Sequence, residues 1–316
     1  MKLSPVSSAR YPPRAGIFFI LLGLAACAAP QARIDNEYLP RQMELTAVPF
    51  FPQRDDQCGP AALAMALNAA GAKTAPEQFE PEVYLPQRKG SLQVEMLAVA
   101  RRHGFVAYPL SSGLPELLAH LASGTPVIVL QNLGLSWYPV WHYAVAVGYD
   151  LDRQEIILRS GEEPRQILSL NTFLRTWQRS SFWAMLALPP DRLPARASEQ
   201  DYLSAVLALE KSGRLNAART AYHTTTTRWP NNLVAWIGLG NINYALGNLS
   251  DAEAAFRSAT LKHPESAAAF NNLAQTLTDL GRREDALLAA RHAVQLGGTH
   301  LAESLATLRS IETQSP

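Results

Sequence analysis

The strongest constraint on the fold is a 34-residue spacing in the last third of the chain. The aromatic residues Tyr202, Trp236 and Phe270 recur at this interval. The same interval separates matching small residues, which are Gly213, Gly247 and Gly281, Ala218, Ala252 and Ala286, and Pro230 and Pro264. A fixed period of this length indicates helical units that stack, because a single unit cannot bury its own apolar face. The spacing therefore predicts an all-helical array that begins near residue 199.

These residues resemble the tetratricopeptide repeat, in which each unit is a pair of helices. The resemblance places the repeated glycine at the turn between the two helices and the repeated proline at the end of the unit. It implies three repeats over residues 199–300, followed by a C-terminal capping helix and tail over residues 301–316. It also implies that the array binds a protein partner.

The beginning of the chain has the layout of an export signal. Lys2, Arg10 and Arg14 precede an apolar stretch over residues 15–24. This stretch is shorter than the roughly 20 apolar residues that span a bilayer. A cleaved signal peptide is therefore predicted, and an uncleaved membrane anchor is the alternative.

The sequence Leu-Ala-Ala-Cys that ends at Cys27 resembles the bacterial lipoprotein box. The resemblance implies a lipoprotein signal peptide over residues 1–26 and acylation of Cys27, for example with palmitate. Several acyl chains would hold the protein firmly to a membrane. Residues 27–43 are polar and contain proline, so they are predicted to form a tether. Ala28 follows the cysteine in place of Asp, which by resemblance to sorted lipoproteins implies the outer membrane, facing the periplasm.

Composition narrows the remaining classes of function. The 316 residues are 47% hydrophobic and 17% charged, which is typical of globular protein and allows two domains. The net charge is +1 and no stripe of Lys or Arg is present, so no nucleic-acid partner is expected. The sequence has neither metal-ligand spacing nor a glycine-rich phosphate loop, so no cofactor and no metal are expected.

Residues 44–190 mix helical and strand patterns. Helices are predicted over residues 59–70, 91–103, 114–122 and 172–179, and strands over residues 126–130, 141–149, 155–159 and 182–188. Helices first and strands later, with hairpin links, indicate an α+β domain with a mostly antiparallel sheet. Three prolines within residues 189–194 break the pattern and predict a linker over residues 191–198.

Cys58 is the only thiol that remains if Cys27 is acylated. Gly59 and Pro60 follow it, and proline suits the first turn of a helix because its missing N–H is not needed there. The sulfur would then lie at a helix N-terminus, where the helix dipole favours a thiolate. Gly59 is expected to leave room for a substrate. Cys58 is therefore predicted to be a nucleophile, and a buried structural thiol is the alternative.

His142 is the predicted base. It lies in the apolar strand pattern of residues 141–149, where burial of a polar imidazole costs free energy unless the ring is hydrogen-bonded. A cysteine nucleophile needs such a base close by. The alternative is a strand histidine with hydrogen bonds of structural importance only. The remaining histidines fall in predicted helices or repeats and are His103, His120, His223, His263, His292 and His300.

Three segments together resemble the C39-like peptidases, which are cysteine peptidases of the papain fold. The segments are Val-Pro-Phe-Phe-Pro-Gln up to Gln53, Cys-Gly-Pro-Ala-Ala from Cys58, and His-Tyr-Ala-Val-Ala-Val-Gly-Tyr-Asp from His142. The resemblance covers about residues 45–188 and implies a papain-like α+β domain. It also implies an oxyanion donor at Gln53, with Gln57 as the alternative. The complete layout resembles a family of bacterial cysteine peptidase lipoproteins that carry tetratricopeptide repeats.

The third catalytic position of the family, usually Asp or Asn, corresponds to Ser160. A serine hydroxyl can accept a hydrogen bond from an imidazole, but it cannot stabilise an imidazolium as a carboxylate does. The carboxylates of Asp150, Glu162 and Glu163 are alternatives for this position.

Two functions therefore stay open. One is a membrane-anchored cysteine peptidase that acts on a peptide or protein, and the intact set of Gln53, Cys58 and His142 favours it. The other is a weak or inactive peptidase-like scaffold that binds peptides and recruits partners through the repeats. Ser160 favours this second function.

Overall fold

The computed structural model describes residues 39–53, 57–88, 90–110 and 113–313. Cys27, the predicted signal peptide and most of the predicted tether lie outside the described residues. Within the described ranges, no helix is long and apolar enough to cross a membrane. The same ranges contain no cluster of three or more His, Cys, Asp or Glu side chains that could hold a metal ion.

The N-terminal domain contains five helices and nine strands within the described residues. The helices are α1 Cys58–Ala69, α2 Pro76–Val83, α3 Gln93–Arg102, α4 Leu114–Ala122 and α5 Leu170–Gln178. The strands are β1 Gln42–Glu44, β2 Tyr84–Leu85, β3 Gly90–Ser91, β4 Val106–Pro109, β5 Val127–Asn132, β6 Trp141–Asp150, β7 Glu155–Ser160, β8 Glu163–Ser169 and β9 Ala184–Leu188. Every helix and strand predicted from the sequence is present, with each end shifted by two residues or fewer.

The main sheet is antiparallel throughout and has the order β4-β9-β5-β6-β7-β8. β1 pairs with the far end of β6, where Glu44 lies opposite Gly148. A Cβ atom on Gly148 would lie 2.5 Å from the carbonyl oxygen of Met43, so only glycine allows this close pairing. The predicted tether thus contributes its last residues to the sheet. The α+β class with an antiparallel sheet is confirmed.

The sheet lies between two helical layers. One hydrophobic core joins it to α1, α2 and α3, and the strand residues on that face are Ala107, Ile128, Leu130, Tyr143, Val145, Val147, Ile157, Met185 and Ala187. The alternate residues of the same strands are also buried, and α4 and α5 pack on that second face. Burial on both faces explains why the strands of the sheet interior are continuous apolar runs rather than alternating ones.

The C-terminal part is an all-helical array, as predicted. Its helices are α6 Glu199–Lys211, α7 Leu215–Arg228, α8 Leu233–Ala245, α9 Leu249–Lys262, α10 Ala267–Asp279, α11 Arg283–Leu296 and α12 Leu301–Thr313. Gly213, Gly247 and Gly281 lie between paired helices with φ of 78°, 77° and 75°. A residue with a side chain is strained at such angles, which explains why glycine recurs at each turn.

Each helix pair of the array also begins with a side-chain cap. The side chains of Ser198, Asn232 and Ser266 accept a hydrogen bond from the backbone N–H three residues later. These caps also recur every 34 residues, and each satisfies one of the unpaired N–H groups at a helix start.

The closest packing inside the array uses two more glycines. Cβ atoms on Gly238 and Gly240 of α8 would lie 2.5 and 2.4 Å from the rings of Tyr222 and Phe256. The aromatic rings of Tyr222 on α7 and Phe256 on α9 therefore pack directly against the α8 backbone at these two glycines. At the other end, Ile311 of α12 joins the core of the last repeat and covers its apolar surface.

The array packs against the N-terminal domain through α6. This helix lies beside the edge strand β4. Val106 and Tyr108 of β4 are buried yet fall outside the core that contains Ala107. The Tyr108 hydroxyl contacts Ser198, the cap of α6. Because neighbouring strand residues point to opposite faces, α6 covers the face of β4 that the N-terminal domain leaves open.

Candidate active site

Cys58 is the first residue of α1, as the Gly-Pro sequence after it predicts. The thiol is half-buried, while Gly59 to Leu67 of the same helix are fully buried. The first helical turn, which the structure describes completely, carries no acidic residue. The helix dipole at this end therefore favours a thiolate without a competing carboxylate on the same turn.

The space beside Gly59 is not open to a substrate, contrary to our expectation from the sequence. A Cβ atom on Gly59 would lie 2.2 Å from Oγ and 2.7 Å from Cβ of Ser91. Glycine is required here because β3 packs its Ser91 side chain directly against the start of α1. No sequence pattern pointed to Ser91, whose buried hydroxyl has no hydrogen-bond partner among the described residues.

His142 is the second residue of β6, and its Nε2 lies 2.9 Å from the Oγ of Ser160. Ser160 is buried at the end of β7, next to a β-bulge that shifts the register between Leu158 and Ser160. Burial lowers the pKa of His142, so its imidazole is neutral at neutral pH. A neutral imidazole can accept a proton from a thiol.

The three alternative carboxylates do not take the place of Ser160. Asp150 is eight residues along β6 from His142, a distance of roughly 27 Å in an extended strand. Its carboxylate accepts the N–H groups of Asp152 and Arg153 at 2.9 Å each. Glu162 and Glu163 are exposed, and none of the three hydrogen-bonds to His142. Ser160 is therefore the side chain that holds the imidazole.

Gln53 is buried and fixed at both ends of its side-chain amide. Its Oε1 accepts the N–H of Gly161 at 2.8 Å, and its Nε2 donates to the carbonyl of Tyr143 at 3.3 Å. The backbone N–H of Gln53 also donates to the carbonyl of Gly161 at 2.9 Å. These bonds orient the amide, and its NH₂ group has a second hydrogen to offer to a ligand. Gln57, the alternative, directly precedes α1, and its carbonyl accepts a helical N–H from Ala61.

Tyr143 connects the base strand to the nucleophile. Its hydroxyl donates to the carbonyl of Ser91 at 3.3 Å, and its ring meets that of Trp183 edge to face. Burial, together with the charge of the nearby Cys58, raises the pKa of Tyr143 well above its ordinary value. The phenol therefore stays protonated and holds β3 beside the start of α1. Tyr143 follows His142 in the motif, but no sequence pattern pointed to its contact with Ser91, which is 52 positions away.

One cleft of about 1070 Å³ brings together three of the four predicted site residues, and Ser160 is not among its lining residues. Gln53, Cys58 and His142 all line it, and so does Gly161, which fixes Gln53. Residues of β3 and of the start of α3 also line the cleft. The cleft therefore combines a thiol at a helix N-terminus, a neutral imidazole and an oriented amide donor, which is the set that acyl transfer through a cysteine requires.

Comparison with known families agrees with this architecture. Residues 45–185 match the model of the Peptidase_C39 like family, and residues 203–260 and 244–300 match the tetratricopeptide repeat model. The chain joins a C39-like peptidase domain to a tetratricopeptide repeat array. This confirms the resemblance of the N-terminal domain to the C39-like peptidases and of the C-terminal array to tetratricopeptide repeats. No curated protein matches the chain.

Three solved structures are similar to parts of the chain. A protein from Bacillus anthracis described as a C39-like peptidase is 17% identical, with a TM-score of 0.39, and the match covers 46% of this chain and 97% of that one. The type III secretion chaperone SycD of Yersinia enterocolitica, in complex with a peptide of the translocator YopD, is 15% identical, with a TM-score of 0.35 and coverage of 37% and 95%. The first tetratricopeptide repeat domain of Spaghetti (RPAP3), bound to an HSP90 peptide, is 18% identical, with a TM-score of 0.34 and coverage of 37% and 94%.

Proposed function

We propose that the protein is a cysteine peptidase whose repeat array recruits a protein partner. The observation that supports this most is the shared cleft of Gln53, Cys58 and His142, with the imidazole held by Ser160 at 2.9 Å. Each of these groups has a role in acyl transfer, and they come from separate segments of the chain. Chance assembly of a thiol, a base and an amide donor in one cleft is a poor explanation for this arrangement.

In the proposed mechanism, Nε2–H of His142 donates to Ser160, which leaves the Nδ1 lone pair free to take the thiol proton. The sulfur of Cys58 then attacks the peptide carbonyl carbon. The oxyanion accepts hydrogen bonds from the Gln53 amide and from the Cys58 backbone N–H. The C–N bond breaks as the imidazolium returns the proton to the leaving amine. Water, deprotonated by His142, hydrolyses the thioester and restores the thiol.

A peptide-binding scaffold without efficient hydrolysis is the second candidate. Ser160 favours it, because a neutral hydroxyl gives the imidazolium less support than a carboxylate. Burial lowers the pKa of His142, and no charged group among the described residues raises it. Under this candidate the cleft captures a peptide and the repeats bind a second protein.

The test has two separate arms, which are alkylation of Cys58 by iodoacetamide between pH 5 and 8 and incubation of untreated protein with a peptidyl electrophile. If the protein is a peptidase, we expect Cys58 to react faster with iodoacetamide than free cysteine does near pH 6, where an ordinary thiol is almost fully protonated. Cys58→Ala and His142→Ala should each abolish covalent trapping of the electrophile. Reactivity no greater than that of free cysteine over the whole range would leave the scaffold as the better account.

We also propose that the protein is a lipoprotein anchored to the bacterial outer membrane through Cys27. The Leu-Ala-Ala-Cys sequence after the apolar stretch supports this location. Cys27→Ser should yield protein that is either unprocessed or released from membranes. A variant still cleaved after Ala26 and still bound to membranes would contradict the anchor.

A further inference from the structure

The connection between β5 and β6, residues 133–140, is ordered and continues their hairpin; it is called the hairpin extension below. The N–H of Leu133 donates to the carbonyl of Val140 at 2.8 Å, and Leu135 and Tyr138 exchange two backbone hydrogen bonds of 3.1 Å. Asn132 supports this hairpin extension, because its Oδ1 accepts the N–H groups of Gly134 and Val140 at 3.0 and 2.9 Å. The extension therefore presents its side chains from a fixed backbone.

Several apolar side chains of the hairpin extension and of the adjoining start of β6 are exposed. Trp141 is 52% exposed, Tyr138 68%, Val140 48% and Leu133 50%. A single exposed apolar residue is normal on a protein surface, whereas a contiguous group marks a binding site. All four line the same cleft as Cys58 and His142, and Trp141 directly precedes the base.

Charge in the cleft also limits the ligand. The described residues that line it include no Asp, Glu or Lys. Arg179 is a charged residue that does line the cleft. Its guanidinium already donates to the backbone carbonyls of Asn132 and Gly134, at 3.2 and 2.6 Å. Among the described lining residues, a charged substrate side chain therefore meets no carboxylate and no ammonium group.

We propose that the cleft selects peptides with a large apolar side chain next to the reacting carbonyl, and that Tyr138, Val140 and Trp141 form the wall that binds this side chain. The proposal rests on the proposed function, because it assigns a substrate class to the same cleft. The wall is continuous with the nucleophile and the base, which favours a peptide as its occupant. Burial of apolar surface on both partners supplies the selectivity.

The experiment measures how well blocked peptides protect Cys58 of the full chain from iodoacetamide, followed by mass spectrometry of the Cys58 peptide. The probes are acetyl-Gly-Gly-Xaa-Gly-Gly-amides in which Xaa is Phe, Leu, Asp or Lys. Protection does not depend on turnover or on the side of the scissile bond that the apolar residue occupies. We expect half-protection by the Phe and Leu peptides at concentrations about tenfold lower than for the Asp and Lys peptides. Equal protection by all four peptides overturns the proposal.

Two tryptophans of the same hairpin provide a matched pair of variants. Trp141 lines the cleft, whereas Trp137 is 80% exposed and is not among the lining residues. Trp141→Ala should bring the Phe and Asp peptides within about threefold of each other, and Trp137→Ala should leave the tenfold ratio in place. The ratio is measured within each variant, so a change in thiol reactivity cancels.

The outcomes separate the two proposals. A wild-type Cys58 that does not react faster than free cysteine contradicts the peptidase. A reactive Cys58 with no preference among the peptides contradicts the apolar wall alone. Loss of the preference in Trp137→Ala but not in Trp141→Ala also overturns the wall, because the selective contact would then lie at the hairpin tip.

Discussion

Replacement of Ser160 by aspartate tests whether the neutral hydroxyl limits the reactivity of Cys58. The His142 Nε2 lies 2.9 Å from the Ser160 Oγ, so a carboxylate at this position would contact the ring directly. An opposite charge this close raises the pKa of a histidine by about one to three units. Ser160 is only 5% exposed, so the carboxylate is also desolvated, which reduces the gain. We therefore expect an increase of about one unit.

One unit in the pKa of His142 is a factor of about ten in the population of the thiolate–imidazolium pair. Because the thiolate is the form that alkylates, Ser160→Asp should raise the iodoacetamide rate of Cys58 near pH 6 by up to about tenfold. The assay is the pH profile of alkylation between pH 5 and 8.

Ser160→Asn is the matched control, because it has the size of the aspartate variant without the charge. Its rate should stay far below that of Ser160→Asp at pH 6. Equal rates for the two variants would refute the argument, since charge at this position would then have no influence on the pair. A rate for Ser160→Asp below that of the wild type would mean that the buried carboxylate displaces the ring.

Three further predictions follow from contacts of the same domain. Gly59→Ala should lower the free energy of unfolding in urea by about 1–3 kcal/mol, because its Cβ would lie 2.2 Å from the Ser91 Oγ. Adding Ser91→Gly should restore at least half of the loss, and strictly additive effects would contradict this. His120 is fully buried with its Nε2 3.8 Å from the Oε1 of Glu116, and burial lowers its pKa although this carboxylate favours the charged ring. Below about pH 6.5 the imidazole of His120 binds a proton in the unfolded chain but stays neutral in the folded one. Acidification therefore favours unfolding of the wild type. His120→Leu should lose less thermal stability than the wild type between pH 7 and 5, and equal losses would exclude His120 as a cause. Gln53→Glu keeps an acceptor for the Gly161 N–H but removes the amide donor, so trapping of a peptidyl electrophile should fall about 100-fold. A fall of equal size with iodoacetamide, which forms no oxyanion, would indicate misfolding.

The array was predictable because its constraints repeat. Each 34-residue unit needs the same turn glycine, and Gly213, Gly247 and Gly281 all have positive φ. The caps at Ser198, Asn232 and Ser266 have the same period and could have been found by the same search. A local requirement that recurs at a fixed interval is visible in the sequence without any knowledge of tertiary contacts.

The candidate site was predictable only in part. Cys58 and His142 could be recognised because each is a polar residue in an apolar or helix-start context. Ser91 could not, since its importance lies in a contact with Gly59 that is 32 positions away in sequence. The strand over residues 163–169 was also missed, because most of its residues are exposed and it begins with Glu, Pro and Arg.

Because α6 contacts β4, the N-terminal domain and the repeat array belong to one compact unit. Without the array, Val106 and Tyr108 would be exposed to water on an edge strand, which is the part of a sheet most prone to pair with other chains. The first helix of the array is therefore constrained by the peptidase domain as well as by its own repeat. Thr224 of α7 also donates to the carbonyl of Pro190 at 3.0 Å, whereas α8 to α11 pack mainly against other helices of the array. We expect mutations to accumulate more freely on α8 to α11, so that a new recruitment partner can evolve there while α6 stays nearly constant.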